Sequence, residues 1–447
     1  MVAVKLEPER MPAPVRALAA RLRAAGGRSW LVGGTVRDLL LGLDVRDWDL
    51  ATDLHPAAAA AALPEADRQD ERFGALRIRD LPWPVVVTTL RTEADYRDHR
   101  HPDRIAWVDD PAADAVRRDF TVNAIYCDTA DGALLDPTGG LEDLRARILR
   151  TIGEPSRRFE EDPLRLLRLQ RFAARLDAAI AQDTATAARA AAPRLAHLSA
   201  ERVFAELTDA FTGHGRGRAL RQMVDCGVAA VLLPEVAAMD GVPQPPEHHP
   251  EGDVLTHTCL VLDQVPAGAR ELAWCAVLHD IGKPPTFSLG TDRIRFDGHD
   301  VLSARMADAV LTRLRAPRAL IQTVTAVCRD HIRIASILQM RPRRRERWLR
   351  DPLFPFHLAF HRADCLGSHG NLSIYETVRE LLAALPPLAK PLLSGADALA
   401  LGVAEGPMVG ELLRQAQRAL DDGDDPAPTR EQALAVLARL VAAAVKP

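Results

Sequence analysis

Asp47 and Asp49, one residue apart in the run RDWDLATD (46–53), are the residues whose chemistry stands out first. Side chains two apart on a strand point to the same face, so the two carboxylates share one side. Two such charges at about 4 Å repel by roughly 4 kcal/mol at an effective dielectric near 20, a penalty that a bound divalent cation removes. Magnesium takes oxygen ligands and also binds substrate phosphates, and it suits this pair. A phosphate cradle precedes it: Gly33-Gly34 lies in LVGGTVRDLLLG (31–42), after a short apolar run and before a helix signal. Glycine there lets backbone N–H groups approach a phosphate, and the helix N-terminus adds positive potential. Arg37, one turn into that helix, is placed to reach the same phosphates bidentately. Each piece alone is the signature of an ordinary turn. In this order they describe in-line attack on an α-phosphate under metal catalysis.

A second cluster of donors lies in the later half: His257, His279-Asp280 in VLHDIGK (277–283), His299 in FDGHD (296–300) and Asp364 in HRAD (361–364). Imidazole and carboxylate together suit a transition metal (Ni, Mn, Co or Zn) better than magnesium alone. Such a metal lowers the pKa of bound water and hydrolyses phosphoesters. His248 and His331 read as ordinary surface or helix-cap histidines and are left out of this set. The run RPRRRERWLR (341–350) is the densest basic patch, and it reads equally as a phosphate-contacting surface or a solvated helix face.

These residues must be positioned by regular elements. Residues 12–26 read as an amphipathic helix, 29–32 as a short strand and 36–41 as a second helix, closed by Gly42. Strand signals follow at 48–51, 75–78, 85–90, 121–127 and 134–136, with a long charged loop at 91–104. After Arg150 the chain turns to Ala/Leu/Arg segments of helical period, with a Pro-rich loop at 241–250 and helix breaks at 386–387 and 421–428. The 447 residues, 47% hydrophobic and 26% charged, suffice for about two to four domains with real cores. The formal charge of −4 confines any nucleic-acid surface to a local patch. The six cysteines form no C-x-x-C pair, which fits a reducing cytoplasm and excludes a zinc ribbon. The N-terminus has no apolar signal-peptide run, and no segment is apolar for about 18 residues, so no membrane partner is expected.

With the motifs in view, the head of the chain resembles the class II CCA-adding enzymes and bacterial poly(A) polymerases. RRDFTVNAI (117–125), EDPLRLLR (161–168) leading into RFAARL (171–176), and ERVFAEL (201–207) resemble the family's further motifs, in its order. The resemblance implies an α/β nucleotidyltransferase head with a small mixed sheet, then an elongated all-α neck and body. It implies CTP and ATP as substrates and the tRNA 3′ end as partner. Arg118 and Asp119 match the pair that recognises the ribose 2′-OH and phosphate. Asp162 and Arg165 match the pair that accepts C or A and rejects G and U, with Arg168 adding a nucleotide contact. From spacing alone Asp162 and Arg165 read as an i,i+3 ion pair on one helix. The loop at 91–104 matches the segment that helps switch specificity from C to A. The family's strand before that loop carries a glutamate where VVTTLR (86–91) has Val86. The metal site is then left to Asp47 and Asp49 alone, or to a recruited Glu93 or other acid.

The His/Asp cluster resembles the HD phosphohydrolase superfamily, and PEHHPEGDVLTHT (246–258) resembles the HD domain joined to many bacterial CCA-adding enzymes. This implies 2′,3′-cyclic phosphodiesterase or phosphatase activity in a helical HD domain. The expected division is a head at 1–150, a helical neck and body with the base-selecting helix at 151–245, the HD domain at 246–370 and a helical tail at 371–447. The leading reading is CCA addition and repair. The alternatives are an A-only tRNA enzyme or a poly(A) polymerase, and a metal phosphohydrolase whose head only binds RNA. No oligomeric state is legible.

Overall fold

The strand signals of the first third pair into one mixed sheet, seen in a computed structural model that describes residues 5–444 apart from 46, 95–103, 248, 291–292, 388–390, 424 and 426–427. The chain divides into two compact units, Met1–Ala238 and Met239–Pro447. The first begins with α1 (Ala13–Ala24), β1 (Ser29–Leu31), α2 (Gly34–Leu41), β2 (Trp48–Thr52), α3 (Pro56–Ala62), β3 (Ala75–Ile78), β4 (Val85–Thr89), β5 (Arg91–Ala94) and β6 (Arg104–Trp107). Then come α4 (Pro111–Ala115), β7 (Tyr126–Asp128), β8 (Leu134–Leu135), α5 (Gly140–Ala146) and β9 (Ile148–Leu149). The sheet order is β3-β4-β2-β1-β7-β8. β2 and β4 run parallel, and the other neighbours run antiparallel.

Both faces of this sheet are covered, which is why every residue of β1 is buried. Leu31 packs in one core with Val15, Leu18 and Leu22 of α1, together with Leu50, Leu76 and Val87. Trp30 packs in the other with Val32, Ala51, Leu90 and Tyr126. Each such side chain contributes about 1.5–3 kcal/mol by leaving water. The alternation fixes β2 as well. Trp48 and Leu50 go to the α1 side, so Asp49 must emerge on the other.

Two expectations need correction here. Residues 121–127 do not form one strand. Thr121–Asn123 is a 3-10 turn, and the strand starts at Tyr126. Asn123 is held there by tertiary bonds, accepting from Arg37 at 2.6 Å and donating to Asp119 at 3.0 Å, which override local β-propensity. The charged stretch expected as a loop is a two-stranded ribbon at its ends, with Arg91 opposite Trp107. Its centre, 95–103, lies outside the described residues.

The rest of the first unit is mainly helical: α6 (Pro155–Glu161), α7 (Leu164–Arg175), β10 (Ala179–Ile180), α8 (Gln182–Ala191), α9 (Ala200–Thr212), α10 (Arg216–Asp225), α11 (Val228–Leu232) and α12 (Pro234–Ala237). The second unit holds α13 (Val254–Gln264), α14 (Arg270–Leu278), α15 (Lys283–Thr286), the short strands β11 (Ser288–Leu289) and β12 (Ile294–Arg295), α16 (His299–Arg313), α17 (Arg318–Asp330), α18 (Pro342–Leu349) and α19 (Phe354–Gly367). It ends in α20 (Ser373–Ala383), α21 (Gly395–Ala400), α22 (Pro407–Asp421) and α23 (Arg430–Ala444). α14 is buried continuously from Leu272 to Leu278, as a helix that is apolar all round must be when α13, α17 and α19 surround it. No helix among the described residues is long and apolar enough to cross a membrane.

Candidate active sites

In the first unit a cavity of about 340 Å³ opens where β1, α2, β2 and α7 meet. Gly33, Gly34, Arg37, Asp47, Asp49, Arg118, Asp119 and Arg168 all line it, with Thr35, Asp38, Asn123, Arg171, Phe172, Arg175 and Asp209. Local sequence explains the glycine turn. Gly33 has φ 69° and ψ −142°, a conformation closed to residues with a Cβ. A Cβ there would also lie 3.1 Å from Asp49 Oδ2. Thr35 ties the turn to the carboxylates. Its hydroxyl donates to the Asp47 carbonyl at 3.0 Å and accepts from the Asp49 amide at 2.8 Å.

The charges around the cavity sort into two kinds. All five arginines are already paired. Arg37 and Arg175 hold Asp38, Arg118 holds Asp114, Arg168 holds Asp119 and Arg171 holds Glu206, each at 2.5–3.1 Å. Arg37, Arg168 and Arg171 also lie 4.4–5.2 Å from the centre of the Phe172 ring. Arg168 and the Asn123 amide hold the Asp119 carboxyl far below the usual range, outweighing burial. Asp47 and Asp49, by contrast, have no side-chain ion pair or hydrogen bond among the described residues. Burial pushes the Asp49 carboxyl up more than Arg118 draws it down, and Asp47 adds to the rise. A pair of uncompensated carboxylates on a cavity wall is a donor set that fits magnesium.

Three expectations change. Arg37 is not a free phosphate clamp. It is 1% exposed, its Nε and Nη2 meet Asp38 at 2.9 and 2.8 Å, and its Nη1 meets Asn123, so it forms the floor of the cavity. Asp162 and Arg165 neither share a helix nor pair. Pro163 ends α6 and leaves Asp162 extended (φ −146°), where Arg202 holds it at 3.0 Å. Arg165 bonds to Glu161 and to the Arg158 carbonyl, and neither residue lines the cavity. Glu93 does not supply the missing acid, because Arg91 and Arg117 occupy it. Val86 is the parallel-strand partner of Asp49 and half-buried on the same face, so an acid there would have met the site. Of the stripe Arg168, Arg171, Phe172, Arg175 only Arg168 was expected at the site; the other three were missed, although their i, i+3, i+4, i+7 spacing on α7 carries the signal. Thr35, Asn123 and Asp209 left no local signal.

In the second unit His257, His279, Asp280, His299 and Asp364 line a cavity of about 360 Å³. His257 Nε2 lies 3.1 Å from Asp364 and 3.3 Å from His279 Nε2, and His279 Nε2 lies 3.1 Å from Asp280 Oδ2. The other carboxylate oxygen of Asp280 lies 3.5 Å from His299 and 3.6 Å from His331. His331 is therefore a buried member of the cluster, brought there by the end of α17, and not a surface histidine. His248 lies outside the described residues.

Main-chain carbonyls at 2.6–2.9 Å accept the Nδ1–H of His279, His299 and His331, and Glu251 lies 2.7 Å from His257 Nδ1. All four imidazoles thus turn Nε2 inward, the arrangement that orients histidines on a metal. Two ligand groups result, His257/His279/Asp364 and Asp280/His299/His331. Asp280 is buried at their junction. Lys283 Nζ sits 2.7 Å from Oδ2, yet among the described residues neither carboxylate oxygen has a well-directed hydrogen-bond donor. A buried carboxylate in that condition fits a metal-bound one. The basic patch at 341–350 is partly neutralised within this unit, since Arg343 and Arg347 pair with Asp421.

A small mixed sheet that presents two unpaired carboxylates beside a glycine turn, followed by helices, is a nucleotidyltransferase head on a helical body. Residues 29–150 match the family described as the poly A polymerase head domain. Residues 178–239 match one described as a probable RNA and SrmB-binding site of polymerase A. The chain is 37% identical over 320 residues to the multifunctional CCA protein of Azoarcus sp. strain BH72, spanning 68% of this chain and 73% of that protein. It is 40% identical over 212 residues to the CCA-adding enzyme of Geobacillus stearothermophilus, spanning 47% of this chain and 52% of that protein. The crystal structure of the Bacillus stearothermophilus CCA-adding enzyme in complex with CTP superimposes with a TM-score of 0.70 at 26% identity, covering 96% of this chain and 98% of that one. The chain belongs to the class II CCA-adding enzyme and poly(A) polymerase family.

Proposed function

We propose that this chain adds CMP and AMP from CTP and ATP to the 3′ end of tRNA without a nucleic-acid template, in the cytoplasm. The observation that carries the reading is the charge sorting of the head cavity, where every arginine is neutralised in place while Asp47 and Asp49 face the void unpaired. These two would hold magnesium, which when bound neutralises the α-phosphate and favours ionisation of the attacking 3′-OH. The chain's own residues do the rest. The amides of the Gly33-Gly34 turn, at the start of α2, face the phosphates. Thr35 keeps the turn and the carboxylates in one register. Asp114 fixes Arg118, and Arg168 fixes Asp119, at the wall assigned to the sugar. Base choice is assigned to the segment bearing Asp162 and Arg165, acting through its contacts with Arg202 and Glu161.

The test is to incubate the purified chain with tRNA ending at the discriminator base and with labelled CTP or ATP. Sequential CMP then AMP addition, abolished by Asp47→Ala or Asp49→Ala, supports the reading. ATP incorporation only onto a CC end would make it an A-only enzyme, and long A tails on unrelated RNA a poly(A) polymerase.

A second reading is favoured by the inward-turned imidazoles around Asp280. We infer a metal-dependent phosphoesterase of the HD type in the second unit, within the stretch 246–370, with a transition metal held by His257, His279, Asp280 and Asp364. A 2′,3′-cyclic phosphate at an RNA end is the substrate to try. Asp280→Ala should abolish its hydrolysis and spare nucleotide addition. If Asp49→Ala leaves all activity intact while Asp280→Ala removes it, the head is only an RNA-binding module.

A further inference from the structure

The guanidinium of Arg118, which lines the head cavity, is gripped along one edge. Its Nε donates to the Tyr126 hydroxyl at 2.9 Å and to Asp114 Oδ2 at 3.1 Å, and its Nη2 meets that same oxygen at 3.1 Å. Nη1 has no hydrogen-bond partner among the described residues. It lies beside the Gly33 turn, 3.7 Å from where a Cβ would stand, and Asp49 Oδ2 lies 3.1 Å from the same point. Tyr126 is fully buried and does not line the cavity. Alternation along β7 sends it to the face of the sheet that carries Ala51, and so Asp49, while Cys127 goes to the other. Its hydroxyl has one hydrogen, which goes to Asp114 Oδ2 at 2.6 Å, so a lone pair meets Arg118 Nε. Burial raises the phenol well above its ordinary value despite Arg118, and Asp114 adds to the rise, so that hydrogen stays in place.

The second acceptor matters because Asp114 offers Arg118 only one oxygen. Its Oδ1 is taken by Arg117 Nε at 2.8 Å and by the Arg91 amide at 3.1 Å. A guanidinium held at one oxygen can swing about it, whereas two acceptors fix its plane. The Tyr126 ring, 5.2 Å from Arg118 Cζ, backs that plane.

Resting on the transferase reading above, we propose that Tyr126 is a positioning residue that sets the preference of the site for ribose over deoxyribose. With Asp114 it locks the plane of Arg118, so that the Nη1 edge meets the 2′-hydroxyl of an incoming ribonucleoside triphosphate. A donor that cannot swing away is left unpaired by a deoxyribose, and that is the source of the selectivity. A donor free to swing finds water instead. The sugar is common to CTP and ATP, so both feel the effect alike.

The test measures dissociation constants of CTP, ATP and their 2′-deoxy counterparts on the full chain in Mg²⁺ by calorimetry, with CMP incorporation alongside. Tyr126→Phe keeps the buried ring and removes only the hydroxyl. CTP and ATP should each bind about tenfold more weakly, the loss of roughly one hydrogen bond to a charged group, while the 2′-deoxy forms bind as before. The KM for CTP should rise by the same factor, with kcat little changed. Arg118→Lys, which keeps the charge and loses the fork, should show the same ribose-specific loss. Adding Tyr126→Phe to Arg118→Lys should then cost nothing more. Equal weakening of ribose and deoxyribose forms in Tyr126→Phe marks a merely structural role and overturns the proposal, as does unchanged CTP binding. Additive losses in the double variant overturn the claim that Tyr126 acts through Arg118. If the wild type binds these nucleotides yet adds no CMP, it is the transferase reading that fails, and the dissociation constants still decide the role of Tyr126.

Discussion

Replacing Gly33 with alanine tests whether the glycine turn and the carboxylates work as one device. Gly33 sits at φ 69° and ψ −142°, where a side chain costs about 1–3 kcal/mol of backbone strain. The added Cβ would lie 3.1 Å from Asp49 Oδ2 and 3.7 Å from an Arg118 nitrogen, so the turn or the carboxylate must give by a few tenths of an ångström. Misplacing a reacting group by about 1 Å costs about 100-fold, so a shift of a few tenths should cost roughly tenfold or somewhat more in kcat/KM. Gly42 supplies the control. It too is left-handed, at φ 68° and ψ 24°, but a Cβ there meets nothing within 4 Å. Gly42→Ala should carry about 1–2 kcal/mol of strain and nothing else. Initial rates of CMP incorporation, read beside chemical denaturation of the full chain, separate the two effects. Both variants should lose stability, and only Gly33→Ala should lose about tenfold in rate beyond it. A Gly33→Ala enzyme as fast as Gly42→Ala would refute the reasoning.

Three further outcomes are expected. Asp114 is fully buried and accepts from Arg117, Arg118, Tyr126 and the Arg91 amide at 2.6–3.1 Å, so Asp114→Ala should cost roughly 3–5 kcal/mol by stranding those cations, and a loss under about 1 kcal/mol in denaturant titration would contradict this. Arg118 and Arg117 outweigh burial and hold the Asp114 carboxyl well below the usual range. Its stabilisation is therefore complete above the unfolded carboxylate value and fades only as pH falls below it, toward the folded value. In the metal-free second unit, burial pushes His257 down, but Asp364 and Glu251 drive it up to about 9. Metal entry must then expel a proton, so Mn²⁺ affinity should rise by about tenfold per pH unit between pH 7 and 9, and calorimetry in buffers of different ionisation enthalpy should register that proton.

Much of the head was legible because its chemistry is local. The strand, glycine turn, helix and D-x-D run are contiguous, and β1, α2 and β2 form from alternation, capping and period within a few residues of one another. Helical spacing on α7 carries the Arg168, Arg171, Arg175 stripe in the same way, although only Arg168 was expected at the site. Fixed spacing also gave a wrong geometry where a proline intervened, since Pro163 separates Asp162 from the helix that carries Arg165. Local β-propensity likewise misjudged 121–127, where Asn123 accepts from Arg37 and donates to Asp119, bonds that outweigh a run of β-formers.

Sequence alone determined which residue types could hold a phosphate and a hard cation, and in which order, because backbone conformation and side-chain periodicity are set by near neighbours. Only the tertiary structure decided which charges stay unpaired. Arg37 goes to Asp38, Arg168 to Asp119 and Arg171 to Glu206, while Asp47, Asp49 and Asp209 are left facing the cavity. It likewise carried His331 to Asp280 from the end of a distant helix. Ion pairing depends on distances of a few ångströms between segments far apart in the chain, and those distances exist only once the cores have packed.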